Sequence, residues 1–262
     1  MAPENEDHDC MKIIESTANQ FGGVIPDPND LDTDPTTFAG RLEASMSVWI
    51  REGYRVVWLE IPIAKSRFVP LAVEKGFSYH HCGDEYLMLT RRLVDEAFIP
   101  AHASHYIGAG GVVINKRQEL LVVSELYHRK DGAPPRYKLP GGALHEGEHL
   151  QEAVVREVEE ETGIKTQFDA LVCFRHWHGY RFGKSDIYFV CRLHPESEEI
   201  TIQHDEIAES RWMPVQEYLD AESVSSFNKR IVEAALRSPG IVHTDVEGYA
   251  DGRQFEFFMP NL

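Results

Sequence analysis

The chain of 262 residues has only four cysteines, Cys10, Cys82, Cys173 and Cys191, and no Cys-x-x-Cys pair among them. That spacing argues against a disulfide scaffold or a zinc ribbon, and it leads us to expect the reduced thiols of a cytoplasmic protein. Apolar runs of bilayer length are missing, so no membrane-spanning segment is expected. The opening MAPENEDHD has neither the basic-then-apolar order of a signal peptide nor the Arg-rich, acid-poor composition of a transit peptide. Positive charge is scarce: 26 Lys and Arg face 43 Asp and Glu, for a net charge of −17. A nonspecific grip on nucleic acid or an anionic membrane is therefore not expected, because each phosphate contact needs a local cation. Internal repeats and low-complexity tracts are also lacking, apart from a mild Glu cluster at residues 196–199. What remains is ample for a globular core, with 42% hydrophobic residues.

Residues 1–36 are polar at first, then rich in proline and acids, and read as a flexible N-terminal segment with order beginning near Thr37. Phe38, Leu42, Met46, Trp49 and Ile50 recur at helical spacing, and Gly53 closes that run. A β-branched strand over 56–63, a helix over 65–75 and a hairpin of 77–81 with 85–91 complete a small α/β module, residues 37–98. The remainder, 99–262, opens with strands at 107–114 and 119–124, whose natural reading is a meander. A loop through Asp131, Gly132, Pro134 and Pro135 leads to a helix from about 149 to 162, closed by Gly163. Further strands are expected at 170–176, 185–193, 200–204 and 211–213, with a last helix over 225–236. Strands and helices intermix as in an α+β sandwich.

The stretch with chemistry in it is GALHEGEHLQEAVVREVEEETGI, residues 142–164. On a helix advancing about 100° per residue, Glu157, Glu160 and Glu161 share one sector, beside an apolar stripe of Val154, Val155 and Val158. Crowded like charges are individually destabilising, so the patch asks for a cation. Oxygen donors without thiolates suit Mg²⁺ or Mn²⁺, whereas a solvated acidic face is the plainer alternative. The segment His145-Glu146-Gly147-Glu148-His149 formally matches a zinc-protease pattern. Gly147, between the two histidines, places them in a loop rather than on one helix face. Past this region, Arg175, His176, Trp177, His178, Tyr180, Arg181 and Lys184 interleave cations and aromatics, and Arg136 and Lys138 precede it. Beside an acidic metal site such a mixture suits a ligand with phosphates and a stacking base.

The full spacing, Gly-x5-Glu-x7-Arg-Glu-Val-x-Glu-Glu-x-Gly-Ile, resembles the signature of Nudix hydrolases at every defined position. The resemblance implies a Nudix α/β/α sandwich that hydrolyses a diphosphate bond in a nucleoside-diphosphate-linked molecule. It implies Glu157, Glu160 and Glu161 as metal ligands with the Gly141 carbonyl, Arg156 as their orienter, and Glu148 as a brace for the loop or for metal-bound waters. A further acid often follows in the family. Glu206 is the candidate as metal ligand or base, with Asp205 and Glu209 as rivals.

The first half, with VWLEIPIAKSRFVPLAVEKGFSYHH, and the FGKSD of residues 182–186 are similar to the vertebrate Nudix type 6 proteins and the plant cytosolic ADP-ribose/NADH pyrophosphatases. That group implies ADP-ribose or NADH as substrate, AMP as product, and a homodimer through the N-terminal domain. Residues 71–77 also resemble a helix-to-strand turn of acetyltransferases, without a Gly-rich loop for coenzyme A. Two features depart from the group: an S-Q-P-W array is absent, and no proline lies between Gly163 and His194. Tyr180 stands near the position typical of dinucleoside polyphosphate hydrolases. Dinucleoside polyphosphates, diphosphoinositol polyphosphates and a non-catalytic ADP-ribose or NADH sensor are therefore the alternatives.

Overall fold

The computed structural model describes residues 12–127, 135–248 and 251–261. Cys10 and the loop expected through residues 131–134 lie outside them. The chain forms two compact units, Met1–Ala103 and Ser104–Leu262.

The first unit contains β1 (Ser16–Ala18), β2 (Gly23–Pro26), α1 (Pro35–Arg51), β3 (Val56–Pro62), α2 (Val69–Glu74), β4 (Ser78–Cys82) and β5 (Tyr86–Arg92), in a sheet ordered β1-β2-β3-β5-β4. Helix α1 starts where Asp34 accepts from the Thr37 N–H at 2.8 Å, with Pro35 in its first turn. Its Phe38, Leu42, Met46 and Trp49 share one buried cluster with Val57, Leu59, Ile61 and Leu89 of the sheet. The expected flexible segment needs correction, because ordered structure begins well before Thr37. Ile14 and Val24 are fully buried, and β2 runs parallel to β3. Arg41 explains this order: its guanidinium reaches Asp30 at 2.7 Å, Asp32 at 2.9 Å and the Lys12 carbonyl at 2.8 Å. Such long-range pairing leaves no trace in local periodicity. The helix expected over 65–75 is instead a 3-10 helix, Ile63–Phe68, followed by α2, which starts at Val69 with Pro70 in its first turn.

In the second unit follow β6 (His105–Val113), β7 (Glu119–Glu125), β8 (Gly141–Ala143), α3 (Leu150–Thr162), β9 (Thr166–Trp177), β10 (Ser185–Pro195), β11 (Ile207–Pro214), α4 (Val215–Asp220), α5 (Ser226–Arg237), β12 (Val242–His243) and β13 (Phe258–Met259). One sheet is ordered β8-β6-β10-β9, with β6 and β10 parallel, and β7 pairs with β11. The meander is thus a correction: β6 and β7 share only the Ile114–Leu120 bridge. Both strands are apolar on two faces, and such a pattern does not say which neighbour a strand takes. Residues 200–204 form no strand either; they run as coil into a turn.

Two apolar layers sandwich the sheet. Ala109 and Val113 of β6 face the cluster containing Val154 and Val158 of α3, while Val112 faces the cluster containing Tyr218 of α4 and Val232 of α5. At Gly111 a Cβ would lie 2.8 Å from the side chains of both Val158 and Leu193, so the absent methyl lets α3 settle onto the sheet.

Candidate active site

Helix α3 keeps Ala153, Val154 and Val158 buried against the sheet and ends at Gly163, whose φ of +71° places it in the left-handed cap conformation. This orientation turns the row of acids toward the loop that precedes the helix. His145 and His149 both lie ahead of Leu150, so they do not share a helix face.

Arg156 stands among three of the carboxylates. Its Nε and Nη2 donate to the two oxygens of Glu148 at 2.6 and 2.9 Å, and its Nη1 donates to Glu157 at 2.9 Å and Glu160 at 3.0 Å. The Arg156 guanidinium holds the Glu148 carboxyl down at about 2, and the His145 N–H reinforces it. Glu157 lies against the loop: a Cβ on Gly142 would be 2.5 Å from its Oε2.

Glu161 has a different setting. Its side chain is 7% exposed, it accepts from the Gly141 N–H at 2.9 Å, and Lys138 Nζ lies 3.9 Å away. Burial pushes its carboxyl up to about 7, against the pull of Lys138 and the Gly141 N–H. Gly141 has φ +146°, and a Cβ there would lie 2.2 Å from the Ala109 carbonyl, so no other residue fits this backbone.

The structure therefore gathers Gly141, Glu148, Arg156, Glu157, Glu160 and Glu161 around one loop–helix junction. Glu206 is exposed in the turn just before β11; its carbonyl accepts from the Leu126 N–H at 2.9 Å, and no described side chain links its carboxylate to this group. The rival Glu209 accepts from the Tyr137 hydroxyl at 2.6 Å. Lys138 sits within the acid group, ion-paired with Glu125 as well as near Glu161. Sequence reading missed Glu125, because its place depends on the Val123–Lys138 bridge between distant segments. Arg136 is exposed.

The other expected ligand residues assemble around β9 and β10. Arg175 donates to buried Asp186 at 2.5 Å, and its guanidinium lies over the rings of Trp177, Tyr188 and Phe227 at 5.4, 5.5 and 5.8 Å. Tyr180 packs on Trp177 at 5.4 Å, and its N–H donates to the Lys184 carbonyl at 3.0 Å. His176 meets His105 at 2.9 Å between ring nitrogens, and His178 stacks edge-on at 4.4 Å. Tyr188 and Phe227 were missed as well: each reads as an ordinary core residue until the fold places it on Arg175. Burial raises the Tyr188 phenol, which stays protonated.

Residues 104–235 match the NUDIX domain model, and residues 14–93 match a second model described as Nudix hydrolase domain. The chain belongs to the Nudix hydrolase family. Nudix hydrolase 2 of Arabidopsis thaliana is 39% identical, with 84% of this chain and 78% of that protein covered. Nudix hydrolase 8 of the same plant is 40% identical over 84% of this chain, which spans 61% of that relative's length. Human nucleoside diphosphate-linked moiety X motif 6 is 33% identical, with 85% and 72% covered. Among solved structures, a MutT protein from Methanosarcina mazei Go1 aligns with 53% of this chain and 97% of its own at a TM-score of 0.43 and 22% identity.

Nudix hydrolases generally use a divalent metal such as Mg²⁺ or Mn²⁺. The donors gathered here fit that preference chemically, being carboxylates and a backbone carbonyl with no thiolate among them. The buried, unwillingly ionised Glu161 fits it too, since a cation beside it would favour its charged form. As they stand, Glu148, Glu157 and Glu160 turn to Arg156, and among the described residues no three His, Cys, Asp or Glu side chains are grouped tightly enough to cage an ion. No helix among the described residues is long and apolar enough to cross a membrane.

Proposed function

We propose that this Nudix hydrolase cleaves the diphosphate bond of ADP-ribose or NADH and releases AMP, with Mg²⁺ or Mn²⁺ as cofactor. The observation that carries the proposal is the convergence of Glu148, Glu157 and Glu160 on Arg156 beside buried Glu161, because such a cluster of anions favours a divalent cation and, with it, a diphosphate. Glu157, Glu160, Glu161 and the Gly141 carbonyl would hold the metal, with Glu148 bracing the loop or the metal's waters. Once bound, the ion would neutralise diphosphate oxygens and acidify a coordinated water. Arg156 aligns the carboxylates. Glu206 is assigned as a further ligand or the base that takes the water's proton, reached by movement of its exposed side chain.

For the substrate, Arg175 and Lys184 offer cationic groups to phosphate, His176 offers an imidazole, and Trp177 and Tyr180 offer faces to a base. Lys138 and Arg136 extend the cationic set along the loop before Pro140. The reduced thiols expected from the sequence and the family resemblance support a cytoplasmic homodimer formed through the first unit.

The test is a product assay with Mg²⁺ or Mn²⁺ on purified protein of known mass in solution. ADP-ribose, NADH, NAD⁺, diadenosine polyphosphates and a diphosphoinositol phosphate compete under one condition. AMP released from ADP-ribose or NADH is the expected result. Cleavage of the polyphosphates alone would overturn the substrate, binding of ADP-ribose without cleavage would make the protein a sensor, and a monomeric mass would remove the homodimer.

A further inference from the structure

Helix α3 begins without the residue that a helix of 13 residues favours. The first N–H groups of a helix have no partner inside it, and Ser, Thr, Asp or Asn usually stands ahead to accept from them. Here that residue is His149, which shares a capping box with Glu152, whose carboxylate accepts from the His149 N–H at 3.3 Å. That box leaves the Leu150 and Gln151 N–H groups, and their acceptor comes from the C-terminal tail, more than a hundred residues away. Glu256 accepts from the Leu150 N–H at 2.5 Å through one oxygen and from the Gln151 N–H at 3.1 Å through the other. Its side chain is 10% exposed, and His149 turns its ring to the same tail, with Nε2 3.0 Å from the Gly252 carbonyl and Nδ1 3.7 Å from Glu256. The tail is itself anchored. β13 pairs with β12, the Thr244 N–H donates to the Phe257 carbonyl at 2.8 Å, and Phe258 packs on Phe168 of β9.

We propose that Glu256 is a positioning residue for the acid-bearing helix, acting through the loop–helix junction on Glu148 and Arg156. The inference rests on the reading of α3 as the metal-binding helix. An anionic carboxylate at a helix N-terminus makes charge-assisted bonds and lies at the favourable end of the macrodipole. Glu148 is two residues before Leu150, and it holds Arg156 through two bonds. Fraying of the first turn displaces the backbone that carries Glu148. Arg156 then loses its bidentate partner, and Glu157 and Glu160 lose the register that the guanidinium gives them. The tail thus sets the geometry of the acid group without touching a reacting atom.

The experiment uses the full chain, with Mn²⁺ alone as probe and ADP-ribose in a second arm. Loss of the cap in Glu256→Ala is expected to speed amide exchange at Leu150 and Gln151 and to weaken Mn²⁺ binding about tenfold, the scale of a lost helix cap. With ADP-ribose, kcat falls by about the same factor while KM stays within about twofold, because the substrate side of the site is untouched. Adding His149→Asp supplies a cap in place and restores Mn²⁺ affinity. Wild-type Mn²⁺ affinity in Glu256→Ala, despite faster exchange at the two amides, would overturn the proposal and reduce Glu256 to a local stabiliser. A folded double variant that still binds Mn²⁺ weakly would overturn it as well. If the wild-type protein does not bind Mn²⁺, the metal reading of α3 fails first.

Discussion

Glu148 and Glu161 border the same cluster, carry the same side chain, and are held in opposite ways. Glu148 is gripped by a guanidinium and a backbone N–H and keeps its charge down to about pH 2. Glu161 is buried, has one backbone N–H and a lysine at 3.9 Å, and gives up its charge near pH 7. One end of the site is therefore already neutralised by the protein itself, and the other is left short of positive charge. The contrast shows that burial without a bidentate partner, more than the number of acids, marks where an added cation gains most.

Three experiments would break or sharpen that contrast. The largest effect is expected from Glu160→Gln, because Glu160 is the half-exposed member on the arginine side and, in the proposed reading, a metal ligand. Turnover should fall by about a thousandfold with the melting curve unchanged. A folded variant that keeps most of its activity would take Glu160 out of the metal set.

Next in size is Arg156→Ala, which leaves Glu148, Glu157 and Glu160 without their shared donor and should cost about 2 kcal/mol at neutral pH. The carboxyl of Glu148 is depressed in the folded state, so this contribution is complete above the ordinary value of 4.5 and is lost as pH falls toward 2. Urea midpoints of the two proteins should accordingly converge on acidification from pH 6. A constant gap would mean that Glu148 is not the residue gripped.

Glu161→Gln should show the smallest change, and of the opposite sign. The raised carboxyl favours the folded state fully below 4.5, and that contribution is lost as pH climbs through about 7. In chelator the variant should therefore be more stable than wild type by about 1 kcal/mol at pH 8 and equal to it at pH 4.5. Equal stability at both would show that Lys138 already neutralises Glu161.

What the sequence made legible was local. The 3.6-residue recurrence of Val154 and Val158, and Gly163 after Thr162, place α3 to within a residue, and the spacing of the acids puts Glu157, Glu160 and Glu161 on one side of it. The acids' separate electrostatic settings were not legible, because they depend on Gly141 and Lys138 arriving from a segment well ahead of the helix. Nor was β8, whose three residues are too short to show a period. Lys138 read as a cation for substrate because nothing nearby announces Glu125 as its partner. The order of residues 12–30 was hidden for the same reason, since Arg41 organises it from inside a helix that otherwise reads as plain amphipathic.

The missing methyl at Gly111 has a consequence for how this enzyme could be altered. Glycine-to-alanine exchange is a common route to thermostable variants, since it restricts the unfolded chain. At this strand position the added carbon would press Val158 and Leu193, and the helix would have to lift or its side chains to shift. The helix that would lift is the one bearing the acid row, so a screen that scored only melting temperature and one that scored only turnover would disagree most sharply over a residue that touches no substrate.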